Sequence, residues 1–280
     1  MWCTCNYSGE NAKDPTIYDG RNLTKIFARE ITKFPSPWHW VQDRINNRNY
    51  KGINNGDYIP LAINRETHDM QLNINTYKKT TDQELDDHID FISRDCYSET
   101  VQWNTTNNNN GTAEQDYPYL ASNVKQFLDQ LYEKLPADVK NFIVTKRTLL
   151  EKRYSASGAL TDSTGWGWAD IGRLWLPSEY EVFGSTVWAT KGWSAGQAVQ
   201  YPVFANSYKN RIKGAGPKGT WCHWWLLSVG GVPLLMRAMS ATTAMPTTGT
   251  LPMCSVCRSA SVCVSRIFKS LQSEALVASA

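Results

Sequence analysis

No stretch of this chain is apolar for long enough to cross a membrane, and residues Met1 to Asp14 hold no hydrophobic run of the kind that directs export. The expectation is therefore a protein neither anchored in a bilayer nor exported by a standard signal. Charge of one sign is not gathered anywhere: 29 Lys and Arg stand interspersed among 26 Asp and Glu, for a net charge of +3. Without a basic stripe to follow a phosphate backbone, nucleic acid is not an expected partner. Histidine is scarce. His39, His68, His88 and His223 lie far apart and never at spacings that would turn two imidazoles toward one metal, so neither a metal nor a cofactor is expected. A serine nucleophile elbow is not expected either, and the basic, Gly-rich run Asn210 to Gly219 departs from the phosphate-binding loop pattern and opens no periodic helix.

Cysteine is present but unpatterned. The seven residues Cys3, Cys5, Cys96, Cys222, Cys254, Cys257 and Cys263 are odd in number, in a chain of 280 residues that can bury a core without covalent staples. Reduced thiols are the expectation. Cys254 and Cys257 have the CxxC spacing of zinc and redox sites, yet no second pair and no nearby His completes a ligand set. What the chain has in excess is aromatic surface: twelve Trp and thirteen Tyr, with eight of the Trp between Trp166 and Trp225. Large rings with polar tips suit irregular, loop-rich cores and recognition surfaces alike.

Periodicity divides the chain into short elements. Leu23, Ile26, Phe27 and Ile31 share one face of a helix that Pro35 and Pro37 end, and a second helix starts at Pro37 and carries Trp38, Val41 and Ile45. Tyr58 to Ile63 and Met70 to Tyr77 read as antiparallel strands, with Pro60 placing the first at an edge. His88 to Ser93 is a further strand. Asn123 to Leu135 and a segment behind Pro136 read as helices, and Thr145 to Tyr154 as a basic strand.

Three groupings invite chemistry. Asp86, Asp87, His88 and Asp90 resemble a ligand cluster, but strand alternation sends them to opposite faces, and a half-exposed acidic edge explains them as well. Glu179 and Glu181 are the alternative, enzymatic reading, as paired acids of a carbohydrate-active enzyme. The simpler account is a helix start, with Ser178 as cap and both acids facing the positive end of the dipole.

Six stretches are familiar together: Trp38 to Ile45, Gly56 to Leu61, His88 to Cys96, Leu174 to Gly184, Val199 to Asn206 and Trp224 to Leu226. They resemble an uncharacterised domain family common in prophage tail regions and gut Firmicutes. That resemblance implies an α+β, C-type-lectin-like fold, related in shape to formylglycine-generating enzymes, with small twisted antiparallel sheets, flanking helices and long loops. It implies a phage- or prophage-associated ligand- or receptor-binding protein, a tail or surface component without catalytic activity, found in the virion or in the bacterial cytoplasm. Its partners would be a bacterial cell-surface ligand or other phage structural proteins, with a homo-oligomer allowed. A purely structural virion role, docked through residues 1–21, is a further alternative. Binding is expected on loops around Trp188, Trp193, Gln197, Lys213, Lys218 and Trp221, with Trp193 the foremost exposed ring.

The domain organisation that follows is an arm over 1–21, the domain over 22–228, and a tail over 229–280 expected to be irregular. From Val229 onward there is one aromatic, Phe268, one acid, Glu274, and no Asn or Asp. In that family Trp-Trp-Leu is followed by segments rich in Tyr, Asn, Ser and Gly and by a closing strand similar to Gly-Val-Pro-Val-Gly-Phe-Cys. Read from the third base of each codon, Pro252 to Val262 can encode Asn-Val-Phe-Gly-Val-Pro-Val-Gly-Phe-Cys, which implies a frameshift near Leu227 to Gly231 and a loss of core partners for Trp221, Trp224 and Trp225. Sequencing the gene from its source is expected to show a gained or lost base near codons 227–231. Codons that cannot encode the second reading would remove the idea.

Overall fold

The computed structural model describes residues 20–78, 82, 85–104, 110–157, 159, 163–186, 199–220, 222, 224–229, 233–236 and 263–268. Apart from Gly20 and Arg21, the expected arm lies outside them.

The chain enters through Arg21, whose guanidinium grips the buried Asp57 carboxylate at 2.7 and 3.1 Å. Asn22 then caps α1 (Leu23–Ile26), its side-chain oxygen accepting from the Thr24 and Lys25 amides. The expected continuous helix is broken. Phe27, at φ −101° and ψ 24°, separates α1 from α2 (Ala28–Ile31), so that Leu23 is buried while Ile26 is 48% exposed instead of sharing its face. Helix α3 (Pro37–Asn46) starts on its proline as expected and buries Trp38, Trp40, Val41 and Ile45.

Strands β1 (Tyr58–Ile63) and β2 (Glu66–Ile74) form a hairpin whose two-residue turn holds Asn64 at φ 56°. Strand β3 (His88–Ser93) runs antiparallel to β2. Helix α4 (Asn123–Glu133) is capped by Ser122, and the helix expected behind Pro136 is a single turn, α5 (Ala137–Lys140). Among the described residues, strands β4 (Lys146–Lys152) and β5 (Gly165–Gly172) pair only with each other. After β6 (Leu174–Trp175) come the short helices α6 (Glu179–Phe183) and α7 (Pro202–Asn206), a 3-10 turn at Tyr208–Arg211, and β7 (Trp224–Val229). Two stretches of the tail are strands: β8 (Pro233–Met236) pairs with β7, and β9 (Cys263–Phe268) pairs with both β3 and β6. The main sheet therefore runs β1-β2-β3-β9-β6 in a mixed α+β architecture of small antiparallel sheets.

This order corrects the reading of β3 as a half-exposed edge. It is an interior strand, and all six of its residues are buried. Pro60, by contrast, does sit on the edge strand, where its missing N–H costs no ladder bond. The expectation that Trp224 and Trp225 would lack core partners is also not met. Trp224 is buried, stacks on Phe204 at 6.3 Å and donates from Nε1 to the Arg211 carbonyl at 3.0 Å; Trp225 meets Trp103 edge-on at 5.9 Å and donates to the Val101 carbonyl at 2.9 Å.

At the centre of the core lies a charge. Lys146, the first residue of β4, is fully buried with its ammonium 3.5 Å from the centre of the Trp175 ring and flanked by Tyr77 and Tyr201 at 4.8 and 5.2 Å. It donates to Glu181 Oε1 and, at 3.1 Å, to the Tyr201 hydroxyl, which in turn donates to Asp90 Oδ2 at 3.2 Å. Tyr77 donates to the same Glu181 oxygen at 2.5 Å, while Glu181 Oε2 accepts from the Ser178 amide at 2.6 Å.

Removing one member of such a pair strands the other in a medium that cannot solvate it. Lys146→Ala is expected to cost about 3–5 kcal/mol in chemical denaturation, and Lys146→Met combined with Glu181→Gln is expected to recover much of that loss.

Candidate functional site

Of the six loop residues singled out from the sequence, Trp188, Trp193, Gln197 and Trp221 lie outside the described residues. The remaining two, Lys213 and Lys218, bracket one loop, and the structure gives them opposite roles. Lys213 is fully buried, which corrects its assignment as a ligand contact. Its ammonium donates to the Ser93 carbonyl, and at 3.3 Å to that of Arg94, beneath the rings of Trp224 and Phe204 at 5.3 and 5.6 Å. Lys218 is exposed at the tip, with Pro217, Gly219 and Thr220 beside it.

The loop is held on both flanks by main-chain bonds to the segment that leaves β3. Cys96 N–H donates to the Gly214 carbonyl and Gly216 N–H to the Cys96 carbonyl, each at 3.0 Å. The Asp95 carboxylate accepts from the Gly214 amide at 2.8 Å, so backbone donors that a free loop would leave to water are satisfied. Within the loop, Ala215 N–H donates to the Thr220 carbonyl at 2.8 Å, and Gly219 lies so close to Ala215 that a Cβ would come within 2.1 Å of its carbonyl oxygen. Gly216, at φ +79°, supplies the left-handed turn. Lys218 itself is held at φ 62°, a conformation that an L residue adopts only when its surroundings impose it. The loop is thus tied to the segment that leaves β3 by main-chain and side-chain bonds.

Under it lies a polar cluster that no local spacing in the sequence signalled. Glu66 accepts from His68 Nε2 at 3.0 Å, from the Ser98 amide at 3.2 Å and from the Ser98 hydroxyl. The three residue types are those of a nucleophilic triad, but the order is wrong. The carboxylate stands between the other two, so the Ser98 proton goes to Glu66, and among the described residues no imidazole is placed to take it. Arg94 completes the rim, reaching Asp69 at 3.1 Å and lying over the Tyr58 ring at 4.6 Å.

The other residues that invited chemistry have structural roles. Glu179 and Glu181 are both fully buried; Ser178 and Glu181 form a reciprocal capping box, as the helix-start reading expects, and Gly184 ends α6 at φ 76°. His88 Nδ1 donates to the Asp86 carbonyl at 2.8 Å and its Nε2 lies 3.9 Å from Asp90, inside the sheet. Asp87 faces the other way, toward Lys78 at 3.0 Å and Arg48 at 2.9 Å. Cys96 and Cys222 are buried, and Cys254 and Cys257 lie outside the described residues. Among the described residues no group of three or more His, Cys, Asp or Glu is placed to hold a metal, and no helix is long and apolar enough to cross a membrane. One sequence expectation needs correction on the residues themselves: Gly192-Trp193-Ser194-Ala195-Gly196 does spell G-x-S-x-G, in a stretch outside the described residues.

A family model for a domain of unknown function, DUF6273, matches residues 89–260. The chain belongs to that family. The match runs from Ile89 in β3 through β8 and continues past the composition break at Val229. No curated protein and no solved structure matches the chain.

The buried His68 gives this region a pH signature. Its burial outweighs the nearby Glu66 carboxylate and holds the imidazole below its ordinary value of 6.5. The unfolded chain then takes up a proton near 6.5 that the folded chain refuses, so stability present above that pH is lost as the pH falls through and below it. His68→Gln is expected to flatten the pH dependence of thermal unfolding between about pH 7 and pH 5, measured by circular dichroism.

Proposed function

We propose that this protein is a phage- or prophage-associated binding module, a tail or surface component with no catalytic activity, which presents its loops to a ligand on a bacterial cell surface. The resemblance to C-type-lectin-like proteins supports this reading, because in such folds loops carried by a small β core make the contacts. The single observation that carries it is the loop tip Pro217–Thr220, exposed yet pinned from beneath by Lys213 and Asp95. A surface whose shape is set before the ligand arrives loses little conformational entropy on binding. Glu179, Glu181, Asp90 and His88, the acids and base that the linear order singled out, are all at 0% exposure.

Purified full-length chain carrying a fluorescent label is expected to bind intact cells of the bacterium that carries its gene. Lys218→Glu is expected to weaken that binding several-fold while leaving the unfolding temperature unchanged. No saturable binding to those cells, together with absence from purified particles, overturns the reading. Hydrolysis of p-nitrophenyl acetate that disappears in Ser194→Ala would overturn the non-catalytic part of it.

A further inference from the structure

Lys146 and Glu181 meet in surroundings that favour a reaction between them. Both side chains are at 0% exposure, and the ammonium donates directly to Glu181 Oε1. Removal from water penalises separated charges, and transfer of one proton across such a pair leaves an amine and a carboxylic acid in contact. An amine with a free lone pair is a nucleophile, the carboxyl carbon is an electrophile, and an amide forms between them with release of one water. Exclusion of solvent also denies the reverse reaction its water.

The groups around the pair touch both of its ends. On the amine side, the Trp175 ring centre lies 3.5 Å from Nζ and holds the tip of a long side chain in place. Nζ donates at 3.1 Å to the Tyr201 hydroxyl, which donates at 3.2 Å to Oδ2 of the buried Asp90. A hydroxyl backed by a carboxylate is a relay for a proton that leaves the nitrogen.

On the acid side, the two oxygens have different partners. Oε1 accepts from the Tyr77 hydroxyl at 2.5 Å, and Oε2 accepts from the Ser178 amide at 2.6 Å. Donors on both oxygens draw electron density from the carboxyl carbon. The backbone amide at Oε2 stands where negative charge gathers when that carbon becomes tetrahedral. Reactants held in this way need no encounter of the kind that free amine and acid must make in solution.

We infer that Lys146 and Glu181 condense to an amide cross-link inside the folded chain. The Nζ–Cδ bond forms and the Cδ–Oε1 bond breaks; the two protons that the ammonium gives up leave with Oε1 as water, and nothing is oxidised or reduced. Tyr201 touches the atom that gives those protons and Tyr77 the atom that receives them, while Asp90 acts through Tyr201 as a positioning residue. Oε2 stays as the amide oxygen and keeps its bond from Ser178, so the cap of α6 survives the reaction. The ion pair is the reactant state. The link joins positions 35 residues apart, and a closed loop of that kind restricts the unfolded chain. None of this depends on the Pro217–Thr220 loop, so either reading can fail without the other.

Intact-mass spectrometry of the purified full-length chain tests it. The mass is expected to fall below that of the sequence by one water. Tryptic digestion is expected to give a branched peptide in which Lys146 is uncleaved and joined to the peptide that carries Glu181, with tandem fragmentation placing the link at those two residues. Lys146→Arg, which keeps a cation but offers no amine, is expected at its full sequence mass. Asp90→Asn, confirmed as folded by circular dichroism, is expected to raise the share of uncondensed chain in the same spectrum several-fold. A parent chain at its full sequence mass with no branched peptide overturns the inference, as does a loss of water that fragmentation places elsewhere or that persists in Lys146→Arg. A folded Asp90→Asn chain condensed as fully as the parent overturns the relay through Tyr201.

Discussion

The ammonium of Lys146 has no access to water, and that constraint organises the centre of the molecule. A buried cation must be met by opposite charge, by hydrogen-bond acceptors and by polarisable faces, or it destabilises the fold. Glu181 supplies the charge from α6, Tyr201 supplies a hydroxyl from the residue before α7, and Trp175 of β6 supplies the nearest ring face. Four segments distant in sequence are thereby fixed to one point, and Tyr201 extends the network to Asp90 in the main sheet. Each element is short; α6 and α7 have five residues apiece and could not persist alone. Their geometry is inherited from the pair at the centre.

Lys213 repeats the device at the periphery. It too is buried under aromatic rings, but its acceptors are main-chain carbonyls at the end of β3, so what it fixes is the base of a loop. One buried lysine locks elements to the core and the other locks a loop to the sheet. Glu181, an acid that looks catalytic in the linear order, makes a cap and an ion pair in the fold.

The main sheet places β9, which lies beyond the change in composition at Val229, between β3 and β6. The β3 strand, buried throughout, is thus covered along its second edge by a segment that carries little of the chain's aromatic character. The family match reaching residue 260 means that the family's extent and the change in composition do not coincide.

Local chemistry was legible wherever it was self-contained. The Ser178 cap with Glu181 three residues on, Pro37 at a helix start, Pro60 at a sheet edge and the alternation of β1 are each decided by neighbours within a few positions, and all were readable in advance. Ile26 was not, because one residue, Phe27, leaves the helical region and turns the face that the spacing promised. Nor could linear order reveal that His68 and Ser98, 30 positions apart, would share Glu66, or that Lys213 would point inward from a Gly-rich loop. By itself the sequence determined the mixed α+β class, the short elements and their caps, because these follow from backbone and side-chain preferences over a turn or two. Only the tertiary structure decided which charges would be buried and paired, because burial depends on what the rest of the chain brings to the other side.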